Sequence, residues 1–455
     1  MEKRNITRSI YIKYKTMKIH SLENLKTPHD LMCVTKSINT DQPCVIVLDT
    51  LTDITDKIQE ISISLFHIEI ECALKKVQLL TDYCMSWVNR MITAEELRKE
   101  AENDIKRYIR SITDLCNEVP SLVDDREIMA QGAIISTLFL SYLLRMQGKE
   151  NCILNSCNFL RLGIDRKPDM ENSCKNLKEL MKDSSDVPIY ITQNALCMNV
   201  YNETCILPHG GTDYYATLTG VIFHADEIML YTHKDVMNDN IKMQQTHSIT
   251  FGEAENLIDC GGKFVSAECI SLARLTGMAI ELVKIPFSGE NHLRISGERT
   301  GEEVKAVVSR QQVAFIKLKS LEILNAYLFI GKVFDTFERY KVLIHAVATS
   351  NVNISMAVGC SHDTLRFIYR ELGKYAEVGI ETGMAVVSVV GNLSWEHTGM
   401  EARIINTLCH VPVYLISYGS SNHNVSVVVR EKDRMRAVGE LEDAFLGRSD
   451  ERKNK

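Results

Sequence analysis

The sequence lacks both a long apolar run and an excess of positive charge. No stretch of about 18 consecutive apolar residues occurs, so no membrane-spanning helix is predicted. The basic N-terminus, Met1 to Ile10, has no apolar signal core, and we expect a short solvated tail there. The net charge of -7 argues against a chain that neutralises nucleic-acid phosphates. We therefore expect neither a nucleic acid nor a membrane as a partner.

The sequence also lacks the cysteine spacing of a zinc site or a disulfide framework. Its fourteen cysteines include no Cys-x-x-Cys pair, and the closest two are Cys152 and Cys157. Several occur in apolar runs, among them Cys72, Cys197 and Cys409. We therefore expect reduced core thiols in a cytoplasmic protein, and we predict no protein-ligated metal.

The first 290 residues alternate between strand patterns and helix patterns. The clearest segments are strands at 44–48, 188–192 and 227–232 and helices over 62–116 and 124–140. Thr93-Ala-Glu-Glu96 has the spacing of a capping box at the start of a helix. The alternation predicts an α/β sandwich around a mainly parallel sheet.

After a polar, glycine-rich stretch at Gly289 to Glu303, the pattern changes to two similar rounds of strand, helix, strand, strand and helix. Such a duplication is typical of two ferredoxin-like units. The predicted divisions are an α/β domain at 1–290, a linker at 291–304, ferredoxin-like units at 305–380 and 381–447, and a charged tail at 448–455.

The segment from Thr204 to Leu218 joins an apolar run to a helix through Gly210-Gly211-Thr212-Asp213. Glycines let the backbone approach an anion, and the first N–H groups of a helix have no partner of their own. The pattern therefore indicates a phosphate site. A tight connection from strand to helix, with Asp213 as an ordinary first-turn acid, is the alternative interpretation.

With these segments in order, the chain resembles the aspartate kinases, most of all the lysine-sensitive monofunctional type. The resemblance spans nearly the whole chain and is strongest at Ile249 to Phe264 and at Ile416 to Val425. It implies an amino-acid-kinase domain followed by two ACT domains, and a homodimer formed through the ACT domains. The implied activity is ATP- and Mg²⁺-dependent phosphorylation of L-aspartate, the first step of lysine, threonine and methionine biosynthesis.

ATP, Mg²⁺, aspartate and a second copy of the chain are thus the implied ligands and partners.

The resemblance also implies roles for individual residues. It implies catalytic roles for Lys18, Asp213 and Lys263, and a nucleotide site formed by Gly210, Gly211, Thr212 and Thr232. It further implies an effector site in the first ACT unit, lined by Ile323, Ala326, Phe329, Ile330 and His345. The residues alone leave other interpretations open: Lys18 as a surface lysine at a strand end, Lys263 as a cation at a helix C-terminus, and the ACT units as a dimerisation module.

Several positions depart from the family pattern. Where the family has Lys-Phe-Gly-Gly-Thr-Ser, this chain has Lys18-Ile-His-Ser-Leu-Glu23, which replaces both glycines and adds an acid. His209 stands where the family has an arginine, and Ala133 where it has the acid that holds the substrate's amino group. These changes define two alternatives to an aspartate kinase: a homologue with weak or no turnover, and a kinase for another small carboxylate.

Overall fold

The chain divides into two compact units, which are described separately. A computed structural model describes residues 17–36, 38, 42–118, 122–183, 187–207, 210–232, 241–243, 248–285, 292–298, 303–321, 326–350, 352–393, 399–419 and 421–447. Unit 1 comprises residues 1–234 and 266–296, and unit 2 comprises residues 235–265 and 297–455.

Unit 1 alternates strands and helices, as the sequence predicts. Its strands are β1 (Lys18–Leu22), β2 (Cys44–Leu48), β3 (Asn151–Leu154), β4 (Ile189–Gln193), β5 (Leu196–Met198), β6 (Thr204–Ile206) and β7 (Glu227–Thr232). Its helices are α1 (Pro28–Thr35), α2 (Thr52–Phe66), α3 (Ile70–Met91), α4 (Glu95–Cys116), α5 (Leu122–Met146), α6 (Ser156–Phe159), α7 (Met170–Asp183) and α8 (Gly211–Ile222). After residue 265, unit 1 resumes with α10 (Ala267–Thr276), β10 (Ala279–Lys284) and β11 (His292–Ser296).

The main sheet of unit 1 has the strand order β3-β4-β2-β1-β7-β10-β11. Every neighbouring pair runs parallel except β10 and β11. The five-residue strands β1, β2 and β4 are paired without a register shift, so their carboxyl ends finish side by side. The predicted α/β sandwich around a mainly parallel sheet is confirmed.

Helices cover both faces of this sheet. Strand residues Leu22, Ile46 and Leu48 belong to the same core cluster as Ile58 of α2 and Leu138 of α5. The intervening strand residues face the other way, because side chains alternate along a strand. The opposite face is covered by α8, where a Cβ on Gly220 would lie 3.4 Å from Ile19 of β1.

Helix α5 is long and apolar enough to cross a membrane, judged by length and composition. However, 83% of its apolar window, within Asp125–Met146, is buried inside the fold. The helix contacts β2, β3 and β4 of the main sheet. Its apolar composition is therefore explained by its position in the core of unit 1.

Three expectations from the sequence differ from the structure. Helix α4 starts at Glu95 after Ala94 with no side chain bonded to its first N–H groups, so the capping box at Thr93 is wrong. All fourteen cysteines are free thiols, but Cys409 is exposed and does not lie in a core. Residues 292–296 of the predicted linker form β11, because their backbone pairs antiparallel with β10.

Unit 2 combines a short segment that precedes α10 with the C-terminal third of the chain. The segment contains β8 (Ile241–Met243), β9 (Ser248–Thr250) and α9 (Phe251–Asp259). The rest contains β12 (Val304–Ser320), α11 (Ala326–Arg339), β13 (Leu343–Thr349), β14 (Asn353–Gly359), α12 (His362–Leu372), β15 (Ala376–Gly391), α13 (Met400–Thr407), β16 (Leu415–Ser417), β17 (Asn424–Arg430) and α14 (Arg434–Phe445). This division differs from the predicted boundary at 290, because β8 pairs with β12.

Two ferredoxin-like units share the two longest strands of unit 2. The sheet has the order β13-β14-β12-β15-β17-β16. Residues 314–319 of β12 pair with β14 in the first ferredoxin-like unit. Residues 304–310 of the same strand pair with the end of β15, beside β17 of the second ferredoxin-like unit. The predicted duplication is therefore present, but β12 belongs to both units because it continues through a register shift after Arg310.

We predict that Gly391→Ala destabilises unit 2. A Cβ at Gly391 would lie 2.1 Å from the carbonyl oxygen of Glu303, so the backbone of one strand must move. Overpacking of this kind costs about 1–3 kcal/mol. Thermal unfolding should show a lower midpoint for Gly391→Ala. The matched control is Gly297→Ala, where the added Cβ meets nothing within 4 Å. Equal midpoints for the two variants would contradict the prediction.

Candidate functional site at the carboxyl edge of the parallel sheet

The start of α8 requires glycine in its turn. Gly210 has φ = 101° and Gly211 has φ = 71°, a region that residues with a Cβ rarely adopt. A Cβ on Gly210 would also lie 2.3 Å from the ring of Tyr214. The N-cap residue Gly210 has no side chain to bond the first N–H groups of α8. These groups and the helix dipole together form a potential anion site.

Asp213 holds the beginnings of two helices together. Its carboxylate accepts hydrogen bonds from the backbone N–H groups of Ser266 and Tyr214. Ser266 is the N-cap residue of α10, and its hydroxyl accepts a hydrogen bond from the N–H of Cys269 at 3.2 Å. Burial raises the pKa of Asp213, and the nearby charge of Glu23 adds to the effect. The geometry therefore gives Asp213 a positioning role for the glycine turn.

Polar residues follow neighbouring strands at the carboxyl edge of the sheet. The residues that directly follow β1, β2 and β4 are Glu23, Asp49 and Asn194. The last residue of β7 is Thr232, which comes directly after Tyr231, the partner of Leu22. Two further backbone bonds extend the pairing: Asp49 donates to Leu22 at 3.0 Å, and Asn194 donates to Leu48 at 2.9 Å. We call these four residues the edge row. In open parallel sheets, ligands bind at this edge.

The edge row is acidic and reaches the glycine turn. The hydroxyl of Thr212, in the first turn of α8, donates a hydrogen bond to the carboxylate of Glu23. Burial raises the pKa of the half-buried Asp49 to about 6, and the charge of Glu23 contributes in the same direction. Sequence reasoning missed Asp49 and Asn194 as site residues. The signal that could have found them is a polar residue directly after a buried strand.

The structure brings some predicted site residues together. Gly210, Gly211, Thr212 and Asp213 share one helix start, and Thr232 lies in the edge row, which Thr212 contacts through Glu23. Among the described residues, no group of three or more His, Cys, Asp or Glu side chains is placed to hold a metal ion. The edge row therefore does not form a closed protein cage around a metal.

Lys18 lies at the opposite end of the sheet from this cluster. Lys18 is the first residue of β1, whereas the helix start after the glycine turn contacts Glu23, which follows the last residue of β1. A strand of five residues spans roughly 13 Å. The ammonium group of Lys18 lies 2.9 Å from the carboxylate of Glu227. This placement agrees with the alternative of a lysine at a strand end, and the catalytic role that the resemblance implies for Lys18 stays a prediction.

Lys263 belongs to unit 2 and follows the C-terminus of α9. It is exposed, and the preceding Gly262 donates a backbone hydrogen bond to Leu257 at 2.8 Å, which closes the end of the helix. The guanidinium group of Arg310 donates to the carbonyl oxygen of Asp259 at 2.8 Å in the last turn of α9. The segment before Lys263 is thus fastened to β12.

The predicted effector residues separate into two places. Phe329 is buried in the core of the first ferredoxin-like unit, and Ile330 packs against that core. The ring of His345 instead lies 3.4 Å from the guanidinium group of Arg310, and burial together with this charge lowers its pKa to about 4. Ala326 is the first residue of α11, and Ile323 lies outside the described residues.

Comparisons with known proteins agree with this architecture. Residues 74–284 match the amino acid kinase family, and residues 387–445 match the ACT domain. Lysine-sensitive aspartokinase 3 of Escherichia coli is 23% identical over 74% of this chain and 80% of its own length. The crystal structure of Clostridium acetobutylicum aspartate kinase aligns with a TM-score of 0.78 at 16% identity, covering 94% of this chain and all of that one. E. coli aspartokinase III with aspartate and ADP aligns with a TM-score of 0.64 at 19% identity, covering 94% and 99% of the two chains.

The parallel sheet with its glycine turn and the ferredoxin-like units that follow define an amino acid kinase with ACT domains. Within that class, the relatives and structural neighbours that span most of the chain are aspartokinases. The chain is thus similar to aspartokinases in sequence and in fold.

We predict that His20 makes the stability of unit 1 depend on pH. His20 is buried in β1, and its Nδ1 lies 2.9 Å from the hydroxyl of Tyr231. Burial lowers its pKa to about 4; the charge of Lys18 lowers it further, and that of Glu227 opposes the shift. The folded protein therefore binds fewer protons than the unfolded chain between pH 6.5 and pH 4. Full stability is present above pH 6.5, and up to about 3 kcal/mol is lost as the pH falls through this window.

Urea unfolding between pH 7 and pH 4 measures this loss. His20→Phe removes the titrating group and keeps an aromatic ring against Tyr231, so its stability should change less across the window. The control is His67→Phe, at an exposed position after α2. Its free energy of unfolding should depend on pH as that of the unchanged protein does. A pH dependence that persists in His20→Phe would refute the assignment.

Proposed function

We propose that this protein transfers the γ-phosphoryl group of ATP to the side-chain carboxylate of L-aspartate, which gives 4-phospho-L-aspartate and ADP. The observation that carries the proposal is the Gly210–Gly211 turn, which aims the start of α8 at the carboxyl edge of a parallel sheet in an aspartokinase fold. Relatives from E. coli and Candida albicans that span most of the chain bear the name aspartokinase.

Phosphoryl transfer depends mainly on alignment of donor and acceptor and on neutralisation of charge. The first N–H groups of α8 are suited to bind phosphate oxygens, because the helix dipole favours an anion there. Asp213 acts indirectly: it holds the start of α8 against the start of α10 and thereby fixes the direction of these N–H groups. Mg²⁺, when bound to the nucleotide, would offset the phosphate charge.

We predict that Gly210→Ala lowers formation of aspartyl hydroxamate from ATP, Mg²⁺ and aspartate at least tenfold. The substitution forces a Cβ into a left-handed turn and against Tyr214, so the N–H groups turn away from the phosphates. Gly148→Ala is the matched control, since Gly148 also has positive φ (74°) but its Cβ would meet nothing within 4 Å. Absence of hydroxamate from the unchanged protein would favour an inactive homologue. Product with another small carboxylate alone would favour a kinase for that acceptor.

The same assay tests the two lysines that the resemblance assigns to catalysis. We predict that Lys18→Ala stays within about threefold of the unchanged protein, because Lys18 lies at the amino end of β1 and pairs with Glu227. Lys263→Ala should lower the rate more than tenfold if the exposed ammonium group contributes charge to the transition state. A large loss in Lys18→Ala with an unchanged melting temperature would restore Lys18 as a catalytic residue.

We further propose a cytoplasmic homodimer joined through the ACT domains. Leu343, in strand β13 at the end of the sheet order, is 66% exposed, which supports a contact with a second copy. Light scattering should give twice the chain mass for the unchanged protein and the single mass for Leu343→Lys. Leu275→Lys, at an 84% exposed position of unit 1, is the control and should remain a dimer. A measured mass equal to that of one chain for the unchanged protein would contradict this proposal.

A further inference from the structure

We propose that Glu23, Asp49 and Asn194 of the edge row form a binding site for a divalent cation, with Mg²⁺ as the ion. The inference rests on the proposed function in one respect: the ion would be the partner of a nucleotide phosphate at the glycine turn. The three side chains come from three neighbouring strands, and each offers an oxygen atom of the kind that Mg²⁺ prefers.

The register of the sheet brings these residues side by side. Leu22 pairs with Leu48, and Leu48 pairs with Gln193. The next residue on each strand is a member of the proposed site, and the extra backbone bonds from Asp49 and Asn194 continue the parallel pairing through these positions. Adjacent strands lie about 4.8 Å apart, so the three side chains start within reach of one ion.

All three side chains point to the face of the sheet that α8 covers. Leu22, Leu48 and Ile191 belong to the core cluster on the α5 face, and Gln193 bonds Thr137 of α5 at 3.0 Å. Because side chains alternate along a strand, the residue after each strand faces the other way. The hydrogen bond from Thr212 to Glu23 confirms this direction for the first member.

Asn194 supplies the second, independent observation. Its side chain is 95% buried, yet neither its amide oxygen nor its amide nitrogen has a hydrogen-bond partner among the described residues. Leaving buried polar atoms unpaired costs about 1–3 kcal/mol, which a ligand at this position would recover. An amide oxygen beside two carboxylates is a donor set suited to Mg²⁺ or Mn²⁺.

The charge of the neighbourhood favours a metal ion over the ammonium group of a substrate. The two carboxylates stand next to a helix start that is suited to phosphate. A bound phosphate and these carboxylates would repel each other unless a cation lay between them. Mg²⁺ usually takes one or two carboxylates and completes its shell with water and substrate phosphates. Among the described residues no group of three or more His, Cys, Asp or Glu side chains is placed to hold a metal ion, which agrees with a site of two carboxylates completed by an amide oxygen, water and phosphate.

The test measures Mn²⁺ directly, by its electron paramagnetic resonance signal, with ADP present and aspartate absent. We expect the double variant Glu23→Gln/Asp49→Asn to bind Mn²⁺ at least tenfold more weakly than the unchanged protein. Asn194→Leu should weaken binding at least threefold. The control Glu171→Gln/Glu179→Gln makes the same charge change at exposed positions of α7 and should bind Mn²⁺ as the unchanged protein does. Thermal unfolding verifies that each variant is folded.

The outcomes separate this inference from the proposed function. Mn²⁺ binding that depends on Glu23 and Asp49 supports the site even if no aspartyl hydroxamate forms. Equal Mn²⁺ affinity in the double variant and its control overturns the site even if hydroxamate forms. A third outcome would also overturn the metal site: the double variant loses aspartate binding, measured by calorimetry without metal, and keeps its Mn²⁺ affinity. That result would favour recognition of an ammonium group by Glu23 and Asp49.

Discussion

Parallel pairing without register shifts is the constraint on which the rest of this molecule depends. Because β1, β2 and β4 pair residue by residue, their last residues finish at one edge, and the polar residues that follow meet there. Helix α8 starts at the same edge, and its glycine turn is joined to Glu23 through Thr212. A shift of one residue in any strand would turn these side chains to the other face.

This edge combines a group that attracts anions with groups that repel them. The helix start attracts an anion, whereas Glu23 and Asp49 add negative charge beside it. An enzyme that handles a triphosphate can keep such acids only if a cation offsets them. The acid that follows β1, Glu23, thus alters the charge balance of the site and need not remove its chemistry.

Within unit 2, the segment that contains β8, β9 and α9 is joined to the sheet of the ferredoxin-like units by strand pairing and by hydrogen bonds. β8 pairs with β12, and Arg310 of β12 reaches both the last turn of α9 and His345 of β13. A change in β13 therefore has a direct physical route to the segment that ends at Lys263. Coupling between an ACT ligand and that segment would follow from a difference in affinity between two arrangements of these contacts.

The sequence by itself determined the element types, the parallel α/β sheet, the duplicated ferredoxin-like pattern and the glycine turn, because periodicity and glycine preference are local properties. It also indicated Asp213 and Thr232. Only the tertiary structure decided that Lys18 starts its strand, that 292–296 join the sheet, and that Asp49 and Asn194 stand beside Glu23. Strand register and the pairing of separate segments depend on contacts between residues that are not neighbours in the sequence, such as Leu48 and Gln193, and no local pattern records them.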